Sequence, residues 1–231
     1  MISVICVYND RETLRRFLLR DLREGDDYEL ILLDNTTYRF SSAAGALNHG
    51  AEMATGDTLI FAHQDVHVKP EAIRRMASYS SSLEDAGVVG AAGVAGPFRL
   101  FSSMKQGDPP VDVGRRIEAP VRVQTVDECL FALPSEVWSR HPFDEETCSH
   151  WHLYAVERCL ALKKRGYSIY AVPVEAYHRS PGYSMSPEYY TTMGAIMKKH
   201  RVPVVWTSLG FSTPYLPLGL QRRLKEFLMR L

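Results

Sequence analysis

Four short apolar runs, the first three closed by polar residues, alternate with stretches of helical periodicity, and this rhythm leaves the chain few folds to choose from. The runs are Ile2 to Val7, Glu29 to Leu33, Thr58 to Ala62 and Gly87 to Ala91. Unbroken apolar runs rich in β-branched residues suit strands covered on both faces. From Arg11 to Arg23, Leu14, Phe17, Leu18 and Leu22 recur at helical spacing with arginines on the other side, and Asp10 suits the N-cap. Ala43 to Ala54 fits a second helix, and Pro70 opens a third that runs to about Leu83. Strand and helix in alternation predict an α/β fold: a Rossmann-like, mostly parallel central sheet with helices on both faces.

In such sheets ligands bind beyond the carboxyl ends of the strands. Tyr8 with Asn9 and Asp10, Asp34 with Asn35, and His63 with Asp65 are therefore expected along one edge. The stretch Ile60 to Val68 concentrates the chemistry, because His63, Asp65 and His67 alternate and share one face if the strand continues. Imidazole and carboxylate together suit a divalent metal or an anion.

The second half is less regular. Ala95 to Gln124 is rich in Gly and Pro and reads as a long loop. Thr125 to Leu133 resembles a strand carrying Asp127 and Glu128, and Pro134 with Ser135 opens a short helix. Ser149 suits the cap of a helix from His150 to Arg165, with Gly166 just past its end and a last strand at Ser168 to Val172. Met185 to His200 reads as helix. In the tail, Leu220, Leu224, Phe227 and Leu228 share a side near Arg222, Arg223, Lys225 and Arg230. That stripe can lie on an anionic membrane surface, pack on the domain or make a homodimer contact; packing or a dimer is favoured, since most such stripes are core.

The 231 residues suit one domain with a C-terminal helical tail, and 27 basic residues against 27 acidic ones give no field to concentrate nucleic acid. The cysteines, Cys6, Cys129, Cys148 and Cys159, form no Cys-x-x-Cys pair, so reduced thiols are the simplest account. The short apolar run at the N-terminus reads as a first strand rather than a signal peptide or a membrane span. The expected location is cytoplasmic, with a peripheral place at the inner face of the plasma membrane as the variant the basic tail allows.

Several phrases, in order, resemble the GT-A type nucleotide-sugar glycosyltransferases, especially the inverting group called family two. They are Ile2 to Asp10 (ISVICVYND), Leu30 to Thr36 (LILLDNT), Ala46 to Asp57 (ALNHGAEMATGD), Leu59 to Asp65 (LIFAHQD), Phe143 to Glu145 (FDE), the helix ending at Gly166, and His178 after the following strand. The resemblance runs from Ile2 to about Gly182 and implies a GT-A domain over 1–182, with a nucleotide-binding half (1–92), an acceptor half (93–182) and a helical extension over 183–231. It implies that Val7, Tyr8 and Asn9 line a nucleobase pocket, and that Asp34 accepts hydrogen bonds from base or ribose. The family's Asp-x-Asp element falls on His63, Gln64 and Asp65, so the first Asp is replaced by His. Asp65 would bind Mn²⁺ or Mg²⁺, His63 would contact ribose or metal, and His178 would complete the metal site or touch the diphosphate, with Arg179 or Ser180 adding phosphate contacts. The imidazole favours Mn²⁺. His67 ranks behind the other two.

The main departure concerns the catalytic base. Counting back from Gly166, the Glu-Asp pair common in relatives falls on Tyr154 and Ala155, which carry no carboxylate. Glu157 survives from the same phrase, and His152 lies one turn nearer the helix start. Five residues separate the two, about 140° around an ideal helix, so both are not expected to face one substrate. His152 is preferred, because the positive end of a helix keeps an imidazole neutral; Glu157 follows, then Asp144 or Glu145.

The resemblance thus implies a metal-dependent, inverting transfer of sugar from a nucleoside diphosphate donor, UDP favoured, to a hydroxyl of a glycan or lipid-linked glycan in cell-envelope synthesis. Two alternatives stay open: a nucleotide- or glycan-binding module without catalysis, suggested by the missing Glu-Asp, and a nucleotidyltransferase, against which Asn9 to Glu12 offers no Gly-rich phosphate loop.

Overall fold

The computed structural model of the chain describes residues 1–23, 25, 27–97, 99–180 and 186–228, the last three of these by backbone alone. Gly182, Met185 and Arg230, which figure in the sequence reading, lie outside the described residues, as do the side chains of Phe227 and Leu228.

The first half follows the predicted rhythm: β1 (Ile2–Tyr8), α1 (Arg11–Arg16), α2 (Leu18–Asp21), β2 (Tyr28–Asp34), α3 (Ala43–Met53), β3 (Thr58–Ala62), β4 (Val66–Val68), α4 (Pro70–Ser82) and β5 (Ala86–Gly90). Short strands then follow, β6 (Ala92–Val94), β7 (Leu100–Ser102), β8 (Met104–Gln106), β9 (Val111–Asp112), β10 (Val121–Arg122) and β11 (Thr125–Val126). The chain ends with β12 (Leu130–Pro134), α5 (Ser135–Arg140), α6 (Tyr154–Lys163), β13 (Ser168–Ala171), β14 (Ala176–His178), α7 (Pro187–His200), β15 (Val205–Thr207), β16 (Gly210–Ser212) and α8 (Leu218–Leu228).

The central sheet has the order β10-β13-β5-β12-β3-β1-β2. β1 pairs parallel with β2 and β3, and β13 parallel with β5, whereas β12 runs antiparallel between β3 and β5. Both faces are covered, as unbroken apolar strands require. Ile2, Val4 and Cys6 of β1 enter one core with Leu14, Leu18, Ile73 and Met76 from α1, α2 and α4. Ile5 enters the other, with Ala44 and Leu47 of α3, Val137 of α5 and Cys159 of α6. α3 can approach β1 closely because residue 50 is Gly: a Cβ there would lie 2.6 Å from Ile5 Cγ2.

Local signals hold where capping chemistry fixes them. Asp10 accepts from the backbone N–H groups of Glu12 and Thr13 at the head of α1. After α6, Gly166 takes φ +90°, and the N–H groups of Gly166 and Tyr167 donate to the carbonyls of Lys163 and Leu162, the closure a left-handed residue provides.

Four expectations are corrected. The helix expected over Arg11 to Arg23 breaks at Phe17, so α1 and α2 are separate. The strand expected over Thr125 to Leu133 is two strands in different sheets, β11 and β12, with Asp127 and Glu128 between them. The loop expected over Ala95 to Gln124 holds β7 to β10, and β8 and β9 join β14 and β4 in a second sheet of order β4-β14-β8-β9. The helix expected from His150 begins at Tyr154, because Leu153 takes a left-handed φ of 68° that no helix continues through.

The C-terminal segment is tied to the core. Tyr189, Met193 and Ile196 of α7 and Val205 of β15 bury against Leu153, Val156 and Leu160 at the head of α6. Leu220 and Leu224 of the α8 stripe do not pack on the domain, the first of the two favoured readings of the stripe, which leaves the second, a homodimer contact, open. Leu220 and Leu224 are 55% and 51% exposed, and the buried face carries Gln221, whose Oε1 accepts from Thr213 N–H and whose Nε2 donates to the Thr213 carbonyl.

Candidate active site

His63 leaves the end of β3, and its backbone N–H donates to the Cys129 carbonyl across the edge shared with β12. The chain then turns at Gln64 and Asp65 before β4, so the strand does not continue and the three ligands do not share a face. His67 turns away, its Nε2 2.7 Å from Asp21 Oδ2. In its place comes a residue more than a hundred positions along the chain: β14 pairs antiparallel with β4, His178 opposite Val66, and the imidazole arrives beside Asp65.

His63, Asp65 and His178 form a compact donor set, with one ligand atom of each within 4.8 Å of the others. His178 Nε2 lies 3.3 Å from Asp65 Oδ1, a separation that two ligands about 2.1 Å from one ion can span. Burial, then the nearby His178, lowers the His63 pKa to about 4, so the ring is neutral and its lone pair is free to ligate. Burial works against the Asp65 carboxylate, but the hydrogen bond from His178 and the electrostatic influence of the two neighbouring imidazoles hold its pKa below the usual value. Nδ1 of His178 is buried with no protein partner. A divalent ion fits this set, and two imidazoles with one carboxylate suit a transition metal such as Mn²⁺ better than Mg²⁺.

Tyr154 supports this cluster. Its hydroxyl donates to the Glu128 carbonyl at 3.3 Å and lies 3.0 Å from His63 Nε2. A hydroxyl that donates to a carbonyl accepts from the imidazole, which puts the proton on Nε2 and leaves Nδ1 as the donor atom.

A cleft of about 400 Å³ opens on one side of the cluster, lined by Val7, Tyr8 and Asn9 from the end of β1 and by His63, Gln64 and Asp65. Tyr38 and Trp151 also line it. Asp34 sits outside this lining, and Asn35 takes the wall position. The carboxylate of Asp34 pairs with Arg11 at 2.6 Å and accepts from the N–H and hydroxyl of Thr36. The Thr36 bonds above all hold it well below the usual carboxylate range.

A second cavity of about 240 Å³ adjoins the first and shares His63, Asp65 and Trp151 with it. Its walls add His178, Ser180, His152 and the acids Asp127 and Glu128, and α7 and the β15–β16 turn contribute Tyr189 and Ser208. Arg179 is not on either wall; its guanidinium lies over Phe17, 5.7 Å from the ring centroid.

The base candidates separate here. His152 does line the second cavity, but it precedes α6 instead of occupying its first turn, so the helix end does not act on it as expected. Burial is what lowers its pKa. Glu157 is turned away: it is 1% exposed, 2.6 Å from Lys199 Nζ and 3.0 Å from His200 Nε2. Asp144 pairs with the same Lys199, and Glu145 accepts from Asn48 Nδ2 at 2.8 Å. These three acids fasten α3, α6 and α7 together.

Sequence reasoning passed over Glu128. Its Oε1 accepts from the Ala155 N–H at 3.1 Å, and burial pushes its pKa up to about 8 against the pull of the amides that begin α6. The signal was available as an acid before a buried strand, but only the antiparallel direction of β12 brings its N-terminal end to the edge where β1 and β3 finish.

Residues 36–109 match the family described as glycosyl transferase family 2. No curated protein matches the chain. Among solved structures, GalNAc-T7 with UDP, GalNAc and Mn²⁺ is 14% identical with a TM-score of 0.64, over 98% of this chain and 53% of that one. TarS 1-349 of S. aureus in complex with UDP-GlcNAc is 14% identical with a TM-score of 0.58, over 86% of this chain and 66% of that one. The mannosyltransferase PcManGT of Pyrobaculum calidifontis, in complex with GDP-Man and Mn²⁺, is 14% identical with a TM-score of 0.57, over 86% of this chain and 62% of that one. This chain thus spans about half to two thirds of the chains it resembles, and the shared feature is the fold.

Proposed function

We propose that this chain, which has the GT-A fold of glycosyltransferases and a family 2 match in its first half, moves a sugar from a nucleoside diphosphate donor to a hydroxyl acceptor with the help of a divalent metal. One observation carries the reading: His63, Asp65 and His178 meet at the junction of two adjoining cavities, where a donor diphosphate and an acceptor would come together. Val7, Tyr8 and Asn9 would hold the nucleobase in the larger cleft. Asp34 would act from the rim, reaching the ribose when Arg11 is drawn aside. A metal held by Asp65 and the two imidazoles would neutralise the diphosphate charge that grows as the sugar leaves.

The acceptor would enter the smaller cavity, between Trp151 and the wall built by Tyr189 and Ser208. His152 stands there as a neutral hydrogen-bond partner for the incoming hydroxyl. The preference for UDP draws on two of the compared enzymes, whose structures hold UDP or UDP-GlcNAc. An inverting outcome, a glycan or lipid-linked glycan acceptor and a role in cell-envelope synthesis come from the family resemblance. A cytoplasmic location draws on four free, buried cysteines. The exposed Leu220 and Leu224 of α8 offer a surface for a membrane or a second copy.

The test is donor turnover by the purified chain with Mn²⁺ across UDP-GlcNAc, UDP-GalNAc and GDP-mannose. Hydrolysis or transfer is expected with one of them and is expected to vanish in Asp65→Ala. Activity that survives Asp65→Ala overturns the metal role. Donor binding without any turnover would favour a binding module instead.

A further inference from the structure

We infer that Glu128 is the group that takes the proton from the acceptor hydroxyl, a role the sequence offers to His152 or Glu157. This rests on the glycosyl-transfer reading above.

β12 is antiparallel to its neighbours, so the residues before Leu130 reach the edge where β1 and β3 end. The bond from His63 N–H to the Cys129 carbonyl fixes that meeting, and Glu128 then faces the cavity that also contains His63, Asp65 and His178. Leu153, the N-cap of α6, makes no side-chain cap bond, and the Glu128 carboxylate accepts from Ala155 N–H instead. The resemblance expects a carboxylate at Tyr154 or Ala155. Glu128 delivers one to the backbone of Ala155 from the turn that precedes β12.

Asp65 faces His178, and Asp127 accepts from Cys129 N–H at 3.0 Å. Glu157, Asp144 and Glu145 are bound to Lys199, His200 and Asn48 away from it. Glu128 is the acid on this wall whose proton affinity burial raises, to a pKa of about 8, so that its ionised form takes a hydroxyl proton more readily than an ordinary carboxylate does.

In the step itself the acceptor O–H bond breaks and its proton passes to a Glu128 carboxylate oxygen. The acceptor oxygen forms the new bond to the anomeric carbon as the bond from that carbon to the diphosphate oxygen breaks. The electron pair leaves with the nucleoside diphosphate, and Glu128 later returns its proton to solvent.

A carboxylate at a helix head can also serve only as a cap, and Glu128→Gln separates the two roles. Its amide oxygen still accepts from Ala155 N–H, but it cannot take the proton. With Mn²⁺ and the donor the wild type turns over, the variant is expected to bind UDP within about twofold of wild type and to lose turnover about 100-fold or more. Turnover within threefold of wild type overturns the inference. Should Glu128→Gln fail to fold, Glu128→Asp decides: the carboxylate is withdrawn by one methylene, and a loss of about tenfold or more in kcat with unchanged UDP affinity supports the role, whereas unchanged kcat overturns it. A wild type that neither binds UDP with Mn²⁺ nor turns over any donor overturns the glycosyl-transfer reading, and this inference falls with it.

Discussion

Gln64 holds Asn9 from both ends of its carboxamide: Oε1 accepts from Asn9 N–H at 3.0 Å, and Nε2 donates to Asn9 Oδ1 at 2.7 Å. Oε1 also accepts from Asp10 N–H at 3.0 Å. The middle residue of the His-Gln-Asp element thus ties the end of β1 to the turn that carries Asp65. Gln64→Ala is expected to cost only about 1 kcal/mol of stability, because the bonds are exposed. Its larger effect should be on the donor, a rise of about tenfold in the dissociation constant for UDP with Mn²⁺, measured by calorimetry. Unchanged affinity would mean that the two strand ends are positioned without it.

In the proposed site His63 would set the metal preference. His63→Asp restores the oxygen-rich pair and should shift the ratio of Mg²⁺-supported to Mn²⁺-supported turnover upward by about tenfold or more. The check is donor hydrolysis with each metal after chelation. A ratio that does not move removes His63 from the metal's ligands.

The two perturbed groups at the cluster pull stability in opposite directions with pH. His63 has a folded pKa of about 4 against an ordinary 6.5, so the unfolded chain binds more protons between these values and stability falls as pH drops from about 6.5 to 4. Glu128 has a folded pKa of about 8 against 4.5, so the folded chain holds the proton longer and stability falls as pH rises from 4.5 to 8. In the metal-free protein Glu128→Gln should therefore gain roughly 2–4 kcal/mol over wild type at pH 8.5, a gap that closes near pH 4.5. Denaturant melts at both pH values measure it. A gap independent of pH would show that Glu128 titrates normally.

Glu157 should behave as a structural acid. Glu157→Ala leaves Lys199 and His200 without their buried partner and should cost about 3–5 kcal/mol, read from the urea midpoint. Turnover per folded molecule should stay near wild type. A variant with wild-type stability and no turnover would return Glu157 to the list of catalytic candidates.

Removal of everything after residue 182 should yield insoluble or unfolded protein, because Tyr189, Met193 and Ile196 cover Leu153, Val156 and Leu160 at the head of α6. Soluble expression and circular dichroism test this. A cooperative melt in the truncated chain would show that the extension folds separately.

The first half of the fold was legible because its signals are local. Ile2 to Val7 and Thr58 to Ala62 carry their burial in their own composition, and Asp10, Pro70 and Gly166 mark helix ends through backbone chemistry that needs no distant partner. What stayed hidden depends on pairing. Nothing within Thr125 to Leu133 says that the chain changes sheets between Val126 and Leu130, or that the second strand runs against its neighbours. The left-handed turn at Leu153, which moves His152 out of the helix, is equally silent, since leucine is not a residue that announces such a turn. His178 came from resemblance alone, and its partner strand β4 is only three residues long.

The reversed direction of β12 reaches beyond this chain's own site. Where a mostly parallel sheet admits an antiparallel strand in its interior, the rim of the sheet is served both by residues that finish a strand and by residues that begin one. A carboxylate needed at that rim can then move from the head of a helix to the foot of a neighbouring strand without any change of architecture. The position in space is kept while the address in the chain is lost, so a comparison of aligned columns would score such a relative as dead where a comparison of places would find its acid.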